Sequence, residues 1–250
     1  MAKDSVAKDK DPAAVPALIW ERGQRPRRRP APSEDQIAAA AVAIADAEGL
    51  DAVTMRRLAT ELGTGTTSLY RYVADKDELL ERMVDSAMAE EHDPGALSGD
   101  WRADLRTVAH ATLGMMLRHR WLAAEQFSRP AFGPNALARM ELAWAAVAGL
   151  TSDATLANCA LTTLLDYVAG VAGRQHGEHE AQRRSGLSLD QWRATIAPYI
   201  RSVVASNKYP HLARRITEAQ EPGFGEQFEF GLECVLDGIS GQVTAAGRPA

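Results

Sequence analysis

The chain has 250 residues, of which 46% are hydrophobic, 24% charged and 6% aromatic, and its net charge is −5. Those proportions describe a folded globular protein of one or two domains and exclude a disordered, fibrous or disulfide-framework chain. Cys159 and Cys234 sit apart in apolar runs, too few for a zinc cluster or an oxidised scaffold, which points to a reducing cytoplasm. The amino terminus is charged with no apolar stretch behind it, and no run of about 18 apolar residues is evident, so neither secretion nor a membrane span is expected.

Net charge conceals an uneven distribution. Residues 1–32 carry eight basic side chains against four acidic ones, a net +4, and are rich in Pro and Ala, which favours an extended arm over a helix. Arg25, Arg27, Arg28 and Arg29 close this arm. Two readings of it stand: an Arg tail that enters a DNA minor groove, or a disordered solubilising segment.

Ser33 followed by Glu34, Asp35 and Gln36 is a capping signal, and Ile37, Ala41, Ile44 and Ala45 follow at helical spacing, predicting a helix over 34–48 that stops at Gly49. Thr54 caps a second, short helix bearing Met55, Leu58, Ala59 and Leu62, closed by Gly63. A third begins after Gly65 and carries Leu69 and Val73, and Asp75 opens a fourth with Leu79, Leu80, Met83 and Val84 as its apolar stripe. Residues 93–99 read as a connector. Beyond it the hydrophobic period is helical throughout, predicting helices near 101–119, 121–128, 134–149, 153–175, 189–206, 210–219 and 226–242, with loops at 177–188 and 220–225. No strand pattern or internal repeat is visible, so the expected class is all-α.

Residues 54–72 have the layout of a helix-turn-helix: a short capped helix, a glycine-containing turn and a second short helix. Leu58, Ala59, Leu62, Leu69 and Val73 pack the two helices together and leave Thr66, Thr67, Ser68, Tyr70, Arg71 and Tyr72 at the start and outer face of the second. Spacing alone is equally compatible with a solvated, Thr-rich helix in an all-α core. The string from Gly49 to Leu80 is more specific. With Gly49, Thr54, Arg56, Leu58, Ala59, Leu62, Gly63, Leu69, Tyr70, Val73, Lys76, Leu79 and Leu80 in place, residues 33–85 resemble the amino-terminal DNA-binding domain of the tetracycline-repressor (TetR) family.

That resemblance implies a three-helix helix-turn-helix domain over 33–90 and a helical ligand-binding and dimerisation domain over 101–243, with the arm before and a tail over 244–250. It places Thr54 and Arg56 at the start of the positioning helix, and Thr66, Thr67, Ser68, Arg71 and Tyr72 toward the major groove. Tyr70 and Lys76 would grip phosphates, Lys76 at the amino end of the fourth helix. An Arg71 contact to guanine would be worth about 1–3 kcal/mol of discrimination. Many family members have Pro or Ala where Thr67 stands.

The carboxy-terminal resemblance is looser, resting on Asp190 to Arg193 and on the run from Phe228 to Ile239. The family pairs two such helices into a four-helix bundle, which nominates Leu156, Ala160, Leu164 and Val171 with Phe228, Leu232, Val235, Leu236 and Ile239 as a homodimer seam; burial within one subunit is the alternative. Tetracycline-binding members use an Asn, two His and a Glu, but Val108, Gln126 and Arg174 stand at three of the corresponding places, so metal-bound tetracycline is not the expected ligand. Pocket candidates are His110, Met115, Met116, Phe127, Trp144, Asp166, Tyr167 and Arg174, which combine apolar bulk with a few polar handles. His176 and His179 fall in a predicted loop and make only a weak metal signal. No metal or other cofactor is expected, and no catalytic motif emerges beyond a His110 and Asp166 combination.

The expected function is a dimeric repressor on a palindromic operator of double-stranded DNA, released by a small-molecule effector. A ligand-independent or activating regulator, and an all-α enzyme or scaffold, are the alternatives.

Overall fold

A computed structural model describes residues 32–90, 97–122 and 132–246. Within them the chain is all-α, as expected, with ten α-helices and no strand. The arginines of the arm, the bulk of the predicted 121–128 helix, and Gln126 and Phe127 lie outside the described residues.

Helix α1 (Glu34–Glu48) starts from a complete capping box, in which the Ser33 hydroxyl accepts from the Gln36 amide while the Gln36 side chain accepts from the Ser33 amide. It stops at Gly49, whose φ of +89° is a conformation other residues rarely adopt. A 3₁₀ turn (Leu50–Ala52) leads to α2 (Met55–Glu61), capped by the Thr54 hydroxyl, and then to α3 (Thr66–Leu69). This third helix is a single turn, shorter than its hydrophobic spacing suggested: residues 70–72 continue as turns before Val73. Asp75 caps α4 (Lys76–Met88). Ile37, Leu58, Leu69, Val73 and Leu79 are fully buried between these four helices.

The second half is built around α7. Helices α5 (Trp101–Arg118), α6 (Pro134–Ala148) and α10 (Phe224–Ala246) all pack on α7 (Ala154–Ser185). By length and composition α7 would suffice to cross a membrane, but Leu164, Val168, Val171 and Ala172 make it a core helix here. Each buried leucine along it contributes about 1.5–3 kcal/mol. The loop predicted for 177–188 is corrected: α7 continues unbroken through Gly177 and ends only at Gly186, in the left-handed region at φ +71°. One interior glycine costs a helix about 1 kcal/mol, which a helix packed on three neighbours readily absorbs.

Helices α8 (Leu189–Ala205) and α9 (Pro210–Glu218) pack on each other and bury no residue fully. Apolar contact is otherwise continuous, because α4 packs on α6 and the buried residues of both halves form one cluster.

Candidate DNA interface and effector site

The helix-turn-helix presents a polar face. Thr66, Thr67, Tyr70 and Arg71 are exposed, with Tyr70 55% accessible, whereas Leu69 between them is fully buried and anchors the helix. Ser68 is half-buried. Tyr72, also expected to face the groove, is half-buried and packs partly against the apolar core. Arg56 and Lys76 are exposed, and Lys76 is the first residue of α4, where unpaired amides add positive potential. Thr54 uses its oxygen to cap α2 through the Arg57 amide at 3.1 Å. Arg57 is instead committed inside the domain to Glu48 (2.8 Å) and Glu61 (2.7 Å), and these hydrogen bonds, the one to Glu48 foremost, hold its guanidinium above the ordinary value.

Two polar anchors join this domain to the rest. At the first, His119 caps the carboxy end of α5 with 4% of its surface exposed; its Nδ1 lies 2.9 Å from Asp46 of α1, and the Trp121 indole N–H donates to the same carboxylate at 2.9 Å. On the other side of the imidazole, Nε2 stands 3.1 Å from Glu90, just beyond α4, without hydrogen-bond alignment. Glu90 also accepts from Arg118 at 3.0 Å. Burial pushes the Glu90 carboxyl up, but His119 and Arg118 outweigh it and hold the group below the usual range. At the second anchor, buried Asp85 of α4 accepts from the Asn135 side chain and from the Ala136 amide, both at 2.9 Å, at the amino end of α6. None of these anchoring residues was singled out in the sequence, because their pairings span from 28 to 75 positions.

Past the end of α5 the surface opens into a cavity of about 420 Å³ between α5 and α7, with Phe224 of α10 at its edge. Met116, Leu117 and Ala172 supply apolar wall, and Arg120, Gln175, His176, Glu178, His179 and Gln182 supply polar groups. Arg120 Nη1 lies 2.9 Å from His179 Nε2. Of the eight expected pocket residues, Met116 alone among the described ones lines this cavity.

The rest are placed elsewhere for clear reasons. Met115 is core, 1% exposed, and Trp144 is half-buried against the same core. His110 faces α10, with Nε2 2.9 Å from Glu229 and its ring edge-on to Phe228. Tyr167 stacks on Phe228 and donates to its carbonyl at 2.8 Å. Asp166 and Arg174 lie on the exposed face of α7, and no hydrogen bond or ion pair joins His110 to Asp166. His176 and His179, read as loop residues, share a face of α7 instead; the spacing Ala172, Gln175, His176, His179 and Gln182 carried that signal.

The proposed dimer seam is also corrected. Ala160, Leu164, Val171, Phe228, Leu232, Leu236 and Ile239 are all buried inside the single subunit, and Leu156 and Val235 half-buried, because their stripes pack α7 on α10 of the same chain. The opposite faces remain open. Cys159, Asp166, Gly170 and Gly173 are exposed on α7, and Phe230 (74% accessible), Cys234, Gly238 and Gly241 on α10.

Comparison with known proteins agrees with this architecture. The family model described as the tetracyclin repressor-like C-terminal domain matches residues 93–243, and that of the bacterial regulatory proteins of the tetR family matches 37–83. The HTH-type transcriptional repressor DrrR1 of Streptomyces coeruleorubidus is 42% identical over 235 residues, 92% of this chain and 86% of its own. The class A tetracycline repressor protein of Escherichia coli is 26% identical over 204 residues, 80% of this chain and 87% of its own. Among solved structures, ActR of Streptomyces coelicolor in complex with (S)-DNPA is similar with a TM-score of 0.68 and 31% identity, over 83% of this chain and 96% of that one. ActR in complex with actinorhodin gives 0.66 and 30%, over 83% and 94%. The chain belongs to the tetracycline-repressor family of ligand-responsive, DNA-binding transcriptional repressors.

Proposed function

We propose that two copies of the chain pair through the open faces of α7 and α10 and present their α3 helices to successive major grooves of a palindromic operator. The observation that carries this reading is the exposed polar face of α3, Thr66, Thr67, Tyr70 and Arg71, held by buried Leu69 beside the exposed Lys76. Thr66, Thr67 and Arg71 read base edges, while Tyr70 and Lys76 hold phosphates and fix the register. Pairing is favoured by Phe230 and by Gly170, Gly173, Gly238 and Gly241, where nothing lies within 4 Å of an added Cβ, so a partner helix is able to approach closely.

Effector control follows from the route between cavity and DNA. Arg120 lines the cavity, and the preceding residue, His119, grips α1 and stands against Glu90 after α4. A molecule that displaces the end of α5 thereby displaces both helices that carry α2 and α3. Half-sites must stay about 34–36 Å apart for both recognition helices to dock, so a small rotation loses both contacts. The similar ActR has been solved in complex with (S)-DNPA and with actinorhodin, which supports a small-molecule effector for this chain.

The test is binding of the purified protein to the DNA upstream of its own gene, titrated with salt, beside a Tyr70→Ala, Lys76→Ala double variant. Selective binding that weakens steeply with salt and falls by about 10-fold or more in the double variant is expected. Absence of selective binding at every salt concentration overturns the operator reading.

A further inference from the structure

We propose that the cavity beside α5 receives a largely apolar molecule bearing an ionised oxygen, a phenolate or carboxylate, with Arg120 and His176 as the groups that meet this oxygen; the inference rests on the cavity being the effector site. Three features of the lining argue for that chemistry.

The first is an uncompensated cation. A guanidinium has five N–H donors and accepts nothing, yet among the described residues the hydrogen bond of Arg120 goes to His179 Nε2 and no carboxylate pairs with it. Its neighbour Arg118 differs, because Glu90 neutralises it. The second is an orphaned polar atom: His176 Nδ1 is buried and has no hydrogen-bond partner, although the ring lines the same cavity. Buried polar nitrogens are rarely left so, and a turn of the ring toward the cavity would bring this one to an entering oxygen. The third is apolar surface. Met116, Leu117, Ala172 and Phe224 line the same cavity as the polar groups, and about 420 Å³ is in the range of small-molecule sites.

Glu178 shares the lining and sets polarity within it. Its carboxylate repels a second anionic group, so the charged edge of the ligand is directed to Arg120. Both features lie on the cavity side of the residue pair whose other member holds the DNA-binding domain.

The probes are anthracene-2-carboxylate and its neutral counterpart anthracene-2-methanol, titrated into the full-length protein with fluorescence as the binding signal and operator release as the second readout. The acid is expected to bind at least about tenfold more tightly than the alcohol, Arg120→Gln to remove that preference, and Arg120→Lys to restore part of it, with circular dichroism verifying the fold of both variants. Equal affinity for acid and alcohol, or an acid affinity untouched by Arg120→Gln, overturns the anion inference; operator release by both compounds would then leave the effector-site reading standing. Arg120-dependent binding of the acid without operator release does the reverse, and failure of both compounds to bind overturns both.

Discussion

His119 and Arg120 are adjacent in the chain and face opposite problems. The imidazole is 4% exposed, with Asp46 on one edge and Glu90 on the other, and Trp121 completes the coordination of Asp46. The guanidinium next to it is exposed, lines an open cavity and binds one imidazole nitrogen. One side chain closes a domain junction and the other leaves a site unfinished. The difference teaches what the proposed effector control requires: the fold places a partnered group and a cavity-lining group on consecutive residues past one helix end, so that under that proposal a ligand held by the second acts on the first.

Breaking the junction should have the larger effect. His119→Ala removes a buried ring and leaves the Asp46 carboxylate with the Trp121 indole alone, which should cost about 2–4 kcal/mol of stability. Thermal unfolding of this variant should begin earlier and broaden, as the DNA-binding domain loosens ahead of the helical one. Arg120→Ala, by contrast, should change stability by less than about 0.5 kcal/mol, as exposed positions generally do. Equal losses in the two variants would erase the distinction between junction and cavity.

A second test sharpens the contrast between faces of α10. Gly231 lies against Tyr167, and a Cβ there would fall 2.2 Å from the phenolic oxygen and 2.6 Å from the ring. Gly231→Ala should therefore destabilise by about 1–3 kcal/mol, much of it recovered when Tyr167 is also shortened to Ala. Gly238, with open space around it, should accept Ala without loss in the isolated subunit, and any weakening there should show in self-association, measured by sedimentation.

The helix-turn-helix was legible because its signals are local. Thr54 and Asp75 cap helices that begin one residue later, Gly49 and Gly63 follow the ends of α1 and α2 with positive φ, and Leu58 and Leu69 pack across a turn of a few residues. The cavity and the junction were not, because Arg120 meets His179 across 59 positions and His119 meets Asp46 across 73. Gly177 compounded this: read as a helix breaker, it separated His176 and His179 from the face they share. The dimer stripe shows the limit of periodicity in another form. Hydrophobic spacing identified Leu164, Leu232 and Leu236 as facing a helix, which they do, but spacing does not say whose helix it is.

Asp104 offers a subtler effect on the helical side. Burial pushes its carboxyl up, yet the Ser98 amide (2.7 Å), the Ser98 hydroxyl (2.8 Å) and the Gly99 amide (2.9 Å) outweigh this and hold it below the ordinary carboxylate range. A depressed native value means that the contribution is complete above the unfolded value near 3.9 and fades as pH drops through the native one. Asp104→Asn should thus cost about 1–2 kcal/mol at neutral pH, and the gap from wild type should narrow below about pH 4 in acid-unfolding curves. A gap independent of pH would assign the cost to packing.

The smallest effect belongs to the ladder of charges between α5 and α10. Arg102 reaches Glu233 and Asp237, Arg106 reaches Glu229 and Glu233, and His110 extends the row to Glu229. Arg102 foremost, with Arg106, holds the Glu233 carboxyl below its usual range, so this contribution too is present at neutral pH and lost on acidification. Unlike Asp104, these groups are largely in solvent, where water and ions screen the attraction. Arg106→Gln should therefore lower the melting temperature by no more than about 2 °C at low salt, with the difference vanishing near 1 M salt. A loss that survives such salt would mean that the arginine stem, packed along α10, carries the contribution instead of its charge.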